Sequence, residues 1–236
     1  MSASRSLVAL GGFLLILKTM RYKAILFDFD GTLADTAPGI LMTMRETFRR
    51  MGIPVPDDDS MRATIGMPLE DALQMLGHLD NEGRDKAATL YRELFPVYVA
   101  AFVKIFPDVK ETLALLQTKG VRMAIVTSRG LRTLDMINGH NDMNQYFETA
   151  VTHDDNLSPK PAPDMVLALL GTMNLAKDDV LVVGDTTFDI EMGNRAGCDT
   201  CAVTYGNHSR ERLASVHPTF FADRFSEIVA LPPATR

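Results

Sequence analysis

The sequence predicts an α/β protein: a doubly wound, Rossmann-like parallel sheet with an all-helical domain inserted into it. Three observations support this reading. From Lys23 onward, apolar runs of strand length alternate with longer helical patterns. The strongest runs are almost continuously hydrophobic, as parallel strands buried on both faces require. After the first run, about seventy residues carry helical patterns and no strand, which is too long for a routine crossover.

The strand runs fall at residues 24–29, 121–127, 150–152, 180–184 and 200–203, with a weaker one at 219–222. Between them, helical patterns cover residues 109–119, 129–146, 162–174 and 189–196. Gly120 and Gly197 stand where helix C-terminal caps belong. Strands separated by helices imply βαβ units and a parallel sheet. Within the long interval, Ile40, Leu41, Met44, Phe48 and Met51 mark one helix, and two more are expected at 69–76 and 81–103. The expected organisation is an α/β core of residues 20–35 and 104–236, a helical cap of residues 36–103, and an N-terminal extension of residues 1–19. Inserted domains commonly cover a site and move relative to it.

Composition narrows the class. The chain of 236 residues is 46% hydrophobic and 23% charged, ordinary for a globular protein. Its net charge of −6 and its lack of a Lys/Arg-rich run argue against a nucleic-acid surface. They leave room for a small phosphorylated substrate, because a pocket can be locally positive in an acidic protein. The two cysteines, Cys198 and Cys201, lack the second half of a zinc site and are read as incidental thiols. In the extension, Arg5 precedes an apolar run at residues 7–17 that is too short to span a bilayer. The favoured reading is a dispensable stretch ahead of a chain start at Met20; an anchor, export signal or packing helix is the alternative. A cytoplasmic protein without a stable membrane span is expected, and the sequence assigns no oligomeric state.

In an open parallel sheet, ligands bind beyond the carboxyl ends of the strands. Four polar clusters sit there. They are Asp28-Phe29-Asp30-Gly31-Thr32, Thr127-Ser128-Arg129, Lys160-Pro161, and Gly184-Asp185-Thr186-Thr187-Phe188-Asp189. Singly, each has an ordinary reading as turn or solvated residues. Together they bring Asp28, Asp30 and Asp185 to one edge, and like charges so close call for a cation. Mg²⁺ suits them, since it takes oxygen ligands and keeps places for water and phosphate.

In that order, D-F-D-G-T-L, V-T-S, K-P-A-P-D and G-D-T-T-F-D resemble the four motifs of the haloacid dehalogenase superfamily. The likeness runs from about Tyr22 to the C-terminus and is strongest to the phosphoglycolate-phosphatase-like branch, in which F-P-D-V-K-E-T-L resumes the core after a helical cap. The resemblance implies a Mg²⁺-dependent phosphatase acting on a small-molecule phosphate ester. Asp28 would be the nucleophile that forms an aspartyl-phosphate, and Asp30 the general acid and base. Asp28, the Asp30 main-chain carbonyl and Asp185 would hold the metal. Gly31, Thr127, Ser128 and Lys160 would contact the phosphoryl group, with Thr127 and Lys160 also aiding catalysis. Asp189 would act through water or by orienting Lys160. An acid at position 30 favours phosphate esters over haloacids, because a halide leaves without a proton.

Phosphoglycolate leads the substrates that this resemblance implies. A pyrophosphatase, a phosphoryl mutase of the β-phosphoglucomutase type and a non-enzymatic interaction protein are the alternatives. The loop at residues 64–71 is expected to face the core; Arg45, Arg62 and Met67 are candidate substrate contacts, with a surface or packing role as the favoured reading of each. The five histidines, at positions 78, 140, 153, 208 and 217, show no ligand spacing and are read as surface or loop residues.

Overall fold

The computed structural model describes residues 22–231, and the side chains of all of these but residues 99 and 100. The extension at residues 1–19 lies outside the described residues. The strands in chain order are β1 (Ala24–Phe27), β2 (Ala34–Asp35), β3 (Lys104–Ile105), β4 (Arg122–Val126), β5 (Thr149–Val151), β6 (Val180–Gly184), β7 (Asp199–Val203) and β8 (Phe220–Ala222). Six of them form one sheet of order β5-β4-β1-β6-β7-β8 with every neighbour parallel. The chain leaves β1 for both sides, so a crevice opens at the carboxyl ends of β1, β4 and β6.

The hydrophobic runs are explained by burial on both faces. Every residue of β1 has no exposed surface. Ile25 and Phe27 face a cluster with Leu113 and Leu116 of α5 (Val109–Thr118) and with Leu134 and Ile137 of α6 (Leu131–His140). Ala24 and Leu26 face the opposite cluster, with Val166 and Leu169 of α7 (Asp164–Thr172) and Met192 of α8 (Thr187–Ala196). The period of two along the strand thus feeds both layers.

The helical segment lies between β2 and β3, which pair antiparallel where the chain leaves and re-enters the sheet region. It comprises α1 (Ala37–Arg50), α2 (Asp58–Arg62), α3 (Leu69–Gly77) and α4 (Asn81–Phe102). In α1, Ile40, Leu41, Met44 and Phe48 form the buried stripe that the sequence pattern predicts. Its partners include Leu73 of α3 and Phe95 of α4, also fully or nearly fully buried.

Several expectations need correction. The interval without strands ends in β3, because two residues are too few to show a period. The helix expected at 129–146 begins at Leu131, since Gly130 is extended, and ends at His140. Asp142 in the left-handed region then breaks the chain before a separate 3-10 turn at Asn144–Tyr146. The short helices α2 and α9 (Arg210–Ala214) have no counterpart in the sequence reading. The two glycine caps hold: Gly120 and Gly197 have φ of +74° and +78°.

Among the described residues, no helix is long and apolar enough to cross a membrane. Cys198 and Cys201 are both buried, with burial pushing the Cys201 thiol up to about 12.

Candidate active site

The site is built where the strands of the crevice end. β1 delivers Asp28, whose N–H still donates to Val183 of β6 at 2.8 Å before the chain turns. The turn needs Gly31: its φ is +88°, and a Cβ there would collide with the Asp185 carboxylate and the Asn207 amide. Phe29 is fully buried, so Asp28 and Asp30 are fixed on either side of an anchored residue. β6 delivers Asp185, and α8 begins with a capping box in which Thr186 and Asp189 satisfy each other's backbone N–H groups.

Lys160 is the electrostatic centre. Its ammonium is fully buried and donates to Asp28 Oδ1 at 2.5 Å and to Asp189 Oδ1 at 2.7 Å. Burial lowers its pKa, but Asp189 and Asp28 outweigh that and the net shift is upward, so it stays charged. Asp185 accepts from Thr32 Oγ1 at 3.1 Å on one oxygen. Its other oxygen accepts from the Asn207 N–H at 2.6 Å and the Asn207 amide at 2.9 Å.

Among the described residues, Asp28, Asp185 and Asp189 place carboxylate oxygens within 4.8 Å of one another. Three carboxylates against one ammonium leave two negative charges unbalanced. Burial, with the neighbouring carboxylates, pushes Asp28 well above the ordinary carboxylate range despite Lys160. Burial, then Asp189, pushes Asp185 up to about 7, with the Asn207 and Thr32 hydrogen bonds opposing. A hard divalent cation would neutralise this excess, and the donor set is all oxygen, so the residues present fit Mg²⁺. The Asn207 amide reaches toward the Asp30 carbonyl at 3.5 Å as well as to Asp185, so a neutral donor bridges those two oxygen groups.

The other sequence candidates fall as follows. The Asp30 carboxylate is held by both arms of Arg129, with Nε at 3.1 Å from Oδ2 and Nη2 on Oδ1. The Arg129 guanidinium lies over the Phe95 ring at 4.7 Å, which ties the sheet edge to α4. Thr127 is fully buried, and its Oγ1 accepts from the Arg129 N–H at 3.1 Å. Ser128 Oγ instead donates to Gly66 of the helical segment at 2.9 Å. Gly66 lies against Thr186 and Phe188, so the loop at 64–71 does face the core. Met67 lines the cavity described below. Arg62 donates to Asn207 Oδ1 at 3.4 Å, whereas Arg45 is ion-paired to Asp58 on the surface.

A cavity of about 280 Å³ opens between this edge and the helical segment, lined by Asp28, Asp30, Thr127, Ser128 and Arg129 on the sheet side. His153 is on its rim. His208 is a loop residue, as expected, but a buried one, only 3% exposed. Its Nδ1 accepts from the Thr187 N–H at 3.0 Å, which puts its proton on Nε2, on the side of the Ala63 carbonyl but without a hydrogen bond of normal geometry. Burial, then Arg212, lowers its pKa to about 4.

Sequence reasoning gave Arg129 and Thr32 no role and passed over Asn207. Arg129 stood inside the Thr127-Ser128-Arg129 cluster, three residues beyond the end of β4. Asn207 follows β7, the strand beside β6, and sheet order would have pointed to it.

Comparison with known proteins agrees with this fold. The family model described as haloacid dehalogenase-like hydrolase matches residues 25–203. The chain is 34% identical over 209 residues to "Probable phosphatase IndB" of Dickeya dadantii, covering 87% of this chain and 91% of that one. It is 30% identical over 224 residues to a phosphoglycolate phosphatase of Photorhabdus laumondii, covering 91% and 93%. It is 29% identical over 212 residues to pyrophosphatase PpaX of Oceanobacillus iheyensis, covering 90% and 97%. Its structure superposes on a haloacid dehalogenase-like hydrolase from Bacteroides fragilis with a TM-score of 0.84 at 25% identity, covering 88% of this chain and 99% of that one. The chain therefore belongs to the haloacid dehalogenase-like hydrolase family.

Proposed function

We propose that this protein is a Mg²⁺-dependent phosphatase that hydrolyses a small phosphate monoester through an aspartyl-phosphate on Asp28. The observation that carries this is a buried carboxylate, Asp28, that lines the cavity while Lys160 holds one of its oxygens at 2.5 Å. A nucleophile needs orientation and a nearby positive charge to meet a phosphate dianion, and Lys160 supplies both.

Asp28 attacks phosphorus, forming the new P–O bond as the ester P–O bond breaks. The departing alkoxide takes a proton from Asp30. Water then attacks phosphorus, Asp30 takes its proton, and Asp28 is released with inorganic phosphate. In this reading Arg129 keeps one Asp30 oxygen and gives up the other when the ester arrives, since it occupies both in the structure. Thr127 Oγ1 donates to a phosphoryl oxygen, and Asp189 keeps Lys160 in place through its 2.7 Å contact. Asp28, Asp185 and the Asp30 carbonyl would hold Mg²⁺, which when bound offsets charge between nucleophile and phosphate. The helical segment, residues 36–103, serves as a cap over the core of residues 20–35 and 104–236 and reads the alcohol.

The test is release of inorganic phosphate from a panel of esters, with Mg²⁺ and with EDTA, by the purified protein and by Asp28→Asn. The relatives' names put 2-phosphoglycolate and pyrophosphate in that panel. Release that needs both Mg²⁺ and Asp28 is expected. Phosphate release by Asp28→Asn at the original rate would overturn the assignment, and phosphoryl return to a second sugar hydroxyl would make the enzyme a mutase.

A further inference from the structure

The cavity wall opposite Asp28 has a chemical character that the family motifs leave open. Its apolar part is Ile40 and Met44 of α1, Ile65, Met67, Leu69 at the start of α3, and Phe95 of α4, with Thr64 and Tyr91 beside them. The charged groups beside this wall are already matched. Arg92 is ion-paired with Glu70, and Arg129 holds both oxygens of Asp30 with the two side chains only 7% and 13% exposed. The remaining basic residues that line the cavity, Arg132 and His153, are exposed residues at its rim.

A substrate with a second negative group would have to bury it against Ile, Met and Leu side chains. Alternatively it would have to draw Arg129 from Asp30, or reach outward to Arg92, half-exposed beside Glu70, and to Arg132 and His153 at the rim. Burial against the wall or removal of Arg129 is unfavourable, because a buried charge needs a dedicated partner, and basic groups open to water hold an anion only weakly. An apolar body gains from the same wall in proportion to the area it buries. Met44 and Met67 can adjust to its shape, since unbranched thioethers fill irregular gaps. The volume of about 280 Å³, shared with the phosphoryl group, limits the alcohol to a compact one.

Resting on the phosphatase reading above, we propose that the substrate is the phosphate monoester of a compact alcohol with an apolar body, aryl or branched alkyl, and no second anionic group. On this basis 2-phosphoglycolate and pyrophosphate are poor substrates for this chain, whatever its relatives hydrolyse.

The test compares kcat/KM for methyl phosphate, benzyl phosphate, 2-phosphoglycolate and pyrophosphate under Mg²⁺. Methanol and benzyl alcohol are of similar basicity, so the bond-breaking step is matched and the contrast reports the wall. Benzyl phosphate is expected to exceed methyl phosphate by at least ~10-fold and to exceed both compounds that carry a second anionic group. Met67→Lys puts an unmatched cation on the wall and should lower the benzyl-to-phosphoglycolate ratio by at least ~10-fold. Met67→Ala, which adds no charge, should lower the benzyl-to-methyl ratio and serves if the lysine variant fails to fold. A wild-type preference for 2-phosphoglycolate or pyrophosphate, or equal rates on the methyl and benzyl esters, would overturn the proposal while leaving a phosphatase. Hydrolysis of none of the four would overturn the phosphatase reading, and this one with it.

Discussion

Replacing Asp185 by Asn removes a charge that the fold holds at a cost when no metal is bound. Asp185 has no exposed surface, and burial with the nearby Asp189 raises its pKa from an ordinary 3.8 to about 7. At 1.36 kcal/mol per unit, keeping it ionised in the metal-free fold at pH 8 costs about 4 kcal/mol. The sign follows from linkage. A carboxyl whose folded pKa is raised contributes its full stability below about pH 4 and loses it as pH climbs through 7. Asparagine keeps the partners, with its oxygen toward Asn207 and its amide toward the Thr32 hydroxyl, but never ionises. In EDTA at pH 8 the variant should therefore unfold about 10 °C above the wild type, at roughly 2–4 °C per kcal/mol for a chain of this size. The gap should fall below half at pH 5 and close near pH 4. Mg²⁺ should stabilise the wild type by about 2.7 kcal/mol at a hundred times its Kd, and the variant far less. Differential scanning calorimetry across pH, with and without Mg²⁺, reads all of this. A variant less stable than wild type in EDTA at pH 8, or a gap that does not change with pH, would refute the reasoning.

Other substitutions probe separate parts of the site. Lys160→Met leaves Asp28 and Asp189 buried without their cation and should cost about 3–5 kcal/mol, read from the urea midpoint at constant slope. Lowering the pH should recover part of that loss, since protonating Asp28 removes a charge; a loss independent of pH would count against the pairing. Asp30→Asn should slow formation of the aspartyl-phosphate from methyl phosphate far more than from p-nitrophenyl phosphate, because only the alkoxide needs a proton to leave. The contrast belongs to single-turnover kinetics, since the second step slows for both, and equal losses would give Asp30 a structural role. Gly31→Ala should fold poorly or lose the site, because its φ of +88° and the crowding by Asp185 and Asn207 both oppose a side chain; retained activity and stability would show that the turn can relax.

Much of the sheet was legible because burial on both faces writes itself as continuous runs such as residues 24–27 and 180–184. Gly197 was legible because a left-handed C-cap has few other occupants. The two-residue strand Lys104–Ile105 was not, since its pairing with Ala34–Asp35 depends on chain segments seventy residues apart rather than on pattern. In the site, Asp28, Asp185, Asp189 and Lys160 could be gathered from strand-end position. Arg129 and Asn207 could not, because their roles rest on where a side chain turns after leaving the backbone. A long side chain in this loop has solvent open to it, and the Phe95 ring and the Asp30 carboxylate together hold Arg129 inward. The burial of His208 was missed for the opposite reason. A loop position suggested exposure, yet the loop packs over the start of α8, where its Nδ1 satisfies the Thr187 N–H.

The central claim, that Asp28 carries the phosphoryl group, is tested most directly by acid-quenching the enzyme with a turning-over phosphate ester in Mg²⁺ and locating the label. Reduction of the quenched protein with borohydride, followed by peptide mass spectrometry, marks the carboxylate that was phosphorylated. The account predicts one modified site, Asp28, absent without substrate and absent in Asp28→Asn. Rapid phosphate release with the label on another residue, or with no phosphorylated protein at any quench time, would contradict it.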